Sequence, residues 1–317
     1  MRRLLQIAAA CAALLIVLAS AKLLLEDRCA PLTSGIHGAL HERNIQVFLL
    51  GSSHTRQGYD IADLERLTGS RDFAVAYDGL DLAGMVPLVQ ALLPGWESQA
   101  PHEPRVLVLE AYSANLARTP ELEEPRLFFD APPRTKLEIA RSYLQEHPHQ
   151  AGAWLDLWVL AANRGTETIV TYPFLHTLMD RLSYHGGYEG KTVEGFPKGF
   201  SQMRVPVAGA APNKDQTAAL ATIIAMAKQH GVTVLLAEPP MPASVEAQPD
   251  IRTLQAKFRV LAGQQEVPFT QGGEIFPTDD PALFADSNHL STAGREIYTR
   301  HFATVLNGFL HSSSVRP

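Results

Sequence analysis

The sequence predicts an α/β fold, a central parallel sheet covered by helices on both faces. Two patterns predict it. Short apolar runs alternate with stretches of helical periodicity, and the runs are continuously apolar rather than apolar at every second residue. A strand covered on both faces has no solvent side to keep polar, and parallel strands need the crossovers that helices supply. A hydrophobic content of 46% with 19% charged residues fits a globular chain and excludes long disorder.

Ile45–Leu50 (IQVFLL) reads as the first strand, followed by the turn Gly51-Ser52-Ser53-His54 and a helical pattern over Ile61–Leu67. Phe73–Tyr77 is a second strand, followed by Gly79 and a helix from Met85 to Leu93. Val106–Leu109 (VLVL) is the third strand. The alternation then stops between Tyr112 and Asn213, so residues 113–213 are expected to form an insertion or cap between strands 3 and 4. Lys214–His230 has helix spacing and ends at Gly231, a C-cap signal. Val232–Ala237 is the fourth strand, stopped by Glu238-Pro239-Pro240. Ile251–Leu261 reads as a helix, Val267–Phe269 as a short strand and Thr292–Leu306 as the closing helix.

The amino-terminal segment stands apart. Arg2 and Arg3 precede Leu4–Leu25, apolar apart from Gln6, Ser20 and Lys22. About 20 apolar residues span a bilayer, so a single-pass anchor is expected, with the cationic end cytoplasmic and the body periplasmic or extracellular. The expected localisation is therefore the inner or cytoplasmic membrane. The rival is a signal peptide cleaved after Ala21, at the small-residue site Ala19-Ser20-Ala21, giving a secreted protein. The expected organisation is an anchor or signal over 1–25, a linker over 26–43 and a single folded domain over 44–317.

Charge and cysteine usage exclude several function classes. The chain holds 27 Lys+Arg against 33 Asp+Glu, net −6, with three of the cations and no acid in residues 1–25. An acidic body without a basic block is a poor nucleic-acid partner, because phosphate neutralisation supplies most of that affinity. Cys11 and Cys29 are the only cysteines, too few for a disulfide framework or a Cys-ligated zinc site. His147, His149, His176 and His185 lack metal-ligand spacing, and no Gly-rich phosphate loop occurs, so neither metal nor cofactor is expected. The insertion's aromatics, Tyr172 to Phe200, read as the core of a cap, the alternative being the lining of a glycan or acyl groove.

Two segments at opposite ends of the body carry chemistry. Ser53 lies in the turn after the first strand, at a carboxyl end where open α/β sheets bind ligands. At a helix start it also meets backbone N–H groups that stabilise a developing oxyanion. Asp286-Ser287-Asn288-His289 precedes the last helix, and an Asp three residues before a His can hold its Nδ1–H. That leaves Nε2 to take a proton from serine, a weak nucleophile without such a base. The competing readings are a helix-capping Ser53 and a surface His289 with Ser291 as N-cap. His54 is read as facing away from the nucleophile, in a structural or substrate-contact role.

Gly51-Ser52-Ser53 after strand 1, joined to Asp286-x-x-His289-Leu290-Ser291-x-x-Gly294 before the last helix, resembles the SGNH/GDSL hydrolase superfamily. The resemblance covers roughly residues 44–112 and 214–310. It implies a flavodoxin-like three-layer sandwich, Ser53 as nucleophile, His289 as base and Asp286 as its orienting acid, with Ser52 at the motif's usual Asp. It also implies an oxyanion hole from the N–H groups of Ser53 and Gly79 in Tyr77-Asp78-Gly79, with Gly84 as fallback. The family's Gly-x-Asn-Asp block is absent; Glu110-Ala111-Tyr112-Ser113-Ala114-Asn115 stands there, and Asn115 is the candidate third donor. The Gly-Ser-Ser variant, the apolar leader and the missing block are similar to exported DltD-like and alginate-acetylation-type members. That branch implies a serine O-acyl esterase or O-acyltransferase acting on an acylated envelope polysaccharide, with a membrane-bound O-acyltransferase as partner. The alternative is a catalytically inactive SGNH-fold scaffold or binding component of an envelope-modifying complex.

Overall fold

The structure, a computed structural model, describes residues 35–99, 104–120 and 211–313, with Gln6 and Glu194–Gly195 besides. Five strands form one parallel sheet: β1 (Val47–Gly51), β2 (Asp72–Ala76), β3 (Val106–Glu110), β4 (Thr233–Ala237) and β5 (Phe269–Thr270), in the order β2-β1-β3-β4-β5. The register runs Leu50↔Val75 and Leu50↔Leu109 across the centre, then Leu236↔Phe269 at the far edge.

The period of two within each strand divides the core. Phe48, Leu50, Phe73, Val75, Leu107, Leu109, Val234 and Leu236 point to one face. There they meet α1 (Gly35–His41), α4 (Leu82–Gln99), α6 (Lys214–Gln229) and α8 (Pro249–Gln264). Val47, Leu49, Ala74, Val106, Val108, Leu235 and Ala237 point the other way. They meet α3 (Ile61–Thr68) and α10 (Thr292–Ser313), whose Tyr298, Phe302 and Leu306 are fully buried. Both sides of each strand are thus apolar because both are covered, which is the three-layer α/β arrangement. Four short helices lie in the connections: α2 (Ser53–Gly58), α5 (Ser113–Ala117), α7 (Ala243–Glu246) and α9 (Gly272–Ile275).

Strand order reverses between β1 and β3, since β2 lies beyond one and β4 beyond the other. Crevices open at such switch points, outside the carboxyl ends of the strands. Gly51-Ser52-Ser53 and Glu110-Ala111-Tyr112 both emerge there. The insertion leaves and re-enters the core at neighbouring points, because the Asn213 N–H donates to the Leu116 carbonyl at 2.8 Å. Most of residues 113–213, with the cap's helix, histidines and aromatics, lies outside the described residues.

The expected single-pass localisation at the inner or cytoplasmic membrane is corrected. Among the described residues no helix is long and apolar enough to cross a membrane. The longest, α10, carries Arg295, Glu296 and Arg300, and its apolar stripe is buried against the sheet. Leu4–Leu25, apart from Gln6, lies outside the described residues.

Candidate active site

The turn after β1 is built around a buried carboxylate. Glu110, at the end of β3, accepts at Oε2 from the Ser52 N–H (2.8 Å), the Thr55 N–H (3.0 Å) and the Thr55 hydroxyl (2.7 Å). Its Oε1 accepts the Ser52 hydroxyl at 2.6 Å. A side chain at position 51 has no room, since a Cβ there would lie 2.0 Å from Thr55 Oγ1 and 2.4 Å from Glu110 Oε2. Burial drives the Glu110 pKa up. The interaction with His54 and the hydrogen bonds from Ser52 and Thr55 outweigh it and hold the carboxylate below its usual range.

Ser52 takes the capping role that Ser53 competed for: its hydroxyl accepts the His54 N–H at 3.3 Å and serves as N-cap of α2. Ser53 is left to another partner. Its Oγ lies 2.8 Å from His289 Nε2, across 236 residues of sequence. His289 Nδ1 lies 2.9 Å from Asp286 Oδ2 and 3.0 Å from Oδ1. The Asp286 Oδ1 also accepts the N–H groups of Asn288 and His289, each at 2.9 Å. Partial burial would raise the Asp286 pKa, but the His289 hydrogen bond and charge and those two N–H groups bring it below the ordinary carboxylate range. An ionised Asp286 fixes the proton on Nδ1 and leaves the Nε2 lone pair toward Ser53.

Ser291 anchors the loop from behind. Its hydroxyl donates to the Ala282 carbonyl at 2.7 Å and accepts the Gly294 N–H at 3.2 Å, so it caps α10. The Asn288 amide donates to the Tyr112 hydroxyl at 3.1 Å, tying the loop to the end of β3.

Of the further oxyanion candidates, Gly79 sits on the turn after β2, Asn115 in α5 and Gly84 in α4. Gly79 has φ +67°, a left-handed conformation that an L side chain strains to adopt. Arg56 of α2 pairs with Asp78 beside it, and the Tyr77 N–H donates to the Gly51 carbonyl at 3.1 Å, so this turn is braced against the turn that bears Ser53. The Asn115 amide donates to the Leu80 carbonyl at 3.4 Å and is buried there. Its contact is thus with the turn that bears Gly79, rather than with Ser53. Gly84 lies within α4, where its N–H donates to Asp81 Oδ1 at 2.9 Å, so the fallback donor is already engaged.

His54 does not face away, contrary to expectation. Its ring stacks on His289 with centroids 4.5 Å apart and 8° between planes. It cannot swing out, because Nδ1 lies 2.8 Å from Ser52 Oγ. Glu110 and His54 are the site residues that sequence reasoning missed. A glutamate ending the continuous apolar run VLVL, at a position that both neighbours bury, was the available signal. Among the described residues no cluster of His, Cys, Asp or Glu is arranged to hold a metal ion.

No family model and no curated protein matches the sequence. Solved structures do match, at low similarity. A protein from Bacteroides fragilis assigned as an acylhydrolase is 13% identical with a TM-score of 0.42, covering 90% of this chain and 95% of its own. A protein from Slackia heliotrinireducens assigned as an SGNH hydrolase is 12% identical with a TM-score of 0.41, covering 83% and 100%. A GDSL-like lipase from Bacteroides thetaiotaomicron is 11% identical with a TM-score of 0.40, covering 92% and 98%. Likeness at that level adds no weight to the geometry.

Proposed function

We propose that the chain is an SGNH-type serine esterase or O-acyltransferase that works through an acyl-serine. The observation that carries this reading is the continuous hydrogen-bond path Ser53 Oγ–His289 Nε2 and His289 Nδ1–Asp286. Ser53 Oγ attacks the ester carbonyl carbon while His289 Nε2 takes its proton. The carbonyl oxygen becomes an oxyanion facing the N–H groups of Ser53 and Gly79. The intermediate collapses as His289 returns the proton to the leaving alkoxide, which departs as an alcohol. Water or a sugar hydroxyl then gives its proton to His289 and attacks the acyl-serine; the bond to Ser53 Oγ breaks as His289 returns that proton to Oγ, releasing the acid or the acylated sugar.

The substrate in this reading is an acylated envelope glycan. Ser52 in place of the usual Asp, together with the missing third block, supports the DltD-like and O-acetylation branch, with a membrane-bound O-acyltransferase as the matching donor. Ser52 supports it further by what it does: its hydroxyl is committed to Glu110, so the departure from Gly-Asp-Ser is compensated inside the fold.

A fluorophosphonate probe tests the nucleophile, with labelling expected in the parent chain and absent in Ser53→Ala. Acetyl and longer acyl p-nitrophenyl esters, supplied with and without an oligosaccharide, test the reaction, the products being identified by mass. Acyl-oligosaccharide means transfer, and free acid alone means hydrolysis. An unlabelled parent chain would remove the esterase reading.

A further inference from the structure

His54 is buried to 7% exposure and stacked on the proposed base, yet the triad gives it no task. Its surroundings fix its protonation. The Ser52 hydroxyl has one hydrogen, donated to Glu110 Oε1 at 2.6 Å. Toward His54 Nδ1, at 2.8 Å, the same oxygen can therefore only accept, which puts the ring proton on Nδ1. His54 Nε2 is then a bare lone pair, buried with no hydrogen-bond partner. A proton there would be a charged donor without an acceptor, which a buried site disfavours.

The other groups around the ring agree. Glu110 Oε1, the one carboxylate oxygen near His54, lies 3.5 Å away on the Nδ1 side. Tyr112 lies against the ring at 4.2 Å. Glu110 also lines the small void beside the ring, where Thr55, Tyr59, Ala237, Pro239, Pro240 and Tyr298 present no further anion. The remaining neighbour is His289, with Asp286 beyond.

We propose that His54 is a positioning residue for His289: a neutral imidazole platform that fixes the plane of the base and favours its protonated form by stacking. The inference rests on the esterase reading above. Asp286 holds His289 along one edge only, which leaves the ring free to rock about that hydrogen bond. A flat partner 4.5 Å away removes the freedom and keeps Nε2 aimed at Ser53. When His289 takes the serine proton, the imidazolium faces a neutral π system and is attracted to it. A charged His54 would repel it. Glu110 holds Ser52, the residue before the nucleophile, and lies 3.5 Å from His54, so one carboxylate braces both the turn that bears Ser53 and the platform.

The rate of Ser53 labelling by a fluorophosphonate, measured from pH 5 to 9, reads base strength and alignment without a known substrate. Misplacing a reacting group by an ångström costs on the order of 100-fold, so His54→Ala should label about 10- to 100-fold more slowly. The midpoint of its acid limb should also move to lower pH, because the stack that biases His289 toward its charged form is gone. His54→Phe restores a flat ring and should recover most of the lost rate. Rates are normalised to folded protein by thermal melting, so a fold defect alone moves neither rate nor midpoint. A labelled parent with His54→Ala at parental rate and midpoint overturns the platform, as does equal loss in Ala and Phe variants. An unlabelled parent is the separate result that overturns the esterase reading, and the platform with it.

Discussion

The site holds two imidazole–carboxylate pairs, stacked ring on ring and built in opposite ways. Asp286 and His289 come from one loop, three residues apart, with side chains 46% and 18% exposed. Glu110 and His54 come from separate segments and are buried, at 2% and 6%. In both pairs burial pushes the carboxylate pKa up and hydrogen bonds bring it below the usual range. The difference lies at the far nitrogen. Nε2 of His289 reaches Ser53 at 2.8 Å, whereas Nε2 of His54 reaches no partner. On the proposed reading, the same pair of groups serves as a base or as a platform according to what the fold leaves beside that atom.

Removing the atom that only the exposed pair reaches gives the largest expected effect. Ser53→Ala should lower ester turnover by about 10⁴- to 10⁶-fold, with thermal stability little changed. Steady-state kinetics on a p-nitrophenyl ester checks it, and a loss below tenfold would show that Ser53 is not the nucleophile. Asp286→Asn comes next. An amide cannot stabilise the imidazolium and allows the wrong His289 tautomer, so kcat should fall about 10²- to 10⁴-fold. Parental kcat in that variant would separate Asp286 from the chemistry.

The buried pair should fail in stability first. Glu110→Ala strands the donors of Ser52 and Thr55, and breaking a buried charged network of this kind costs about 3–5 kcal/mol. Urea unfolding measures it. A cost under about 1 kcal/mol would mean that water repairs the turn, against the burial seen here. Asp286→Asn, in the half-exposed loop, should lose far less stability, so the two carboxylates should order oppositely in activity and in stability.

That contrast also marks what the sequence could reveal. Asp286 and His289 were legible because their interaction is local: three residues of spacing in one loop already allow the contact. Ser53 was legible from its place after a continuous apolar strand. The sheet was legible because a doubly covered strand cannot hide its composition, as VFLLG and VLVLE show. Glu110 was not, since its role is set by the pairing of β1 with β3, a contact between distant segments that no local pattern encodes. His54 followed the same rule. Adjacency to Ser53 says nothing about which way a side chain leaves a helix start, and it turned inward because Ser52 and Glu110 hold its Nδ1. Ser52 was read as a stand-in for Asp, and its bond to Glu110 again needed the fold.

A third carboxylate on the same edge of the sheet isolates what the imidazole contributes. Glu238 follows β4 and is fully buried, accepting from the Ser113 hydroxyl and from Gln255 Nε2 at 2.9 Å. No histidine is among these partners. Burial, with repulsion from Glu246, prevails over the hydrogen bonds, and its pKa is pushed up to about 8. Its folded pKa thus exceeds its unfolded value near 4.5, so its contribution to stability is full below pH 4.5 and is lost as pH rises through about 8. Glu110 runs the other way: its contribution is present above its unfolded value and is lost only as pH falls. Glu238→Gln removes one titration while keeping the shape, so unfolding free energy should decline less steeply between pH 5 and 9. At pH 9 the variant should gain on the parent by about 1–3 kcal/mol, relative to their difference at pH 5. Asp72, raised to about 7, titrates in the same window but is common to both chains and cancels in the difference, whereas Glu246, also raised to about 7, is coupled to Glu238 and its part of that repulsion belongs to the measured difference. Urea unfolding at the two pH values measures it. Parallel pH slopes in parent and variant would show that Glu238 ionises normally, and that burial without an imidazole does not set its charge.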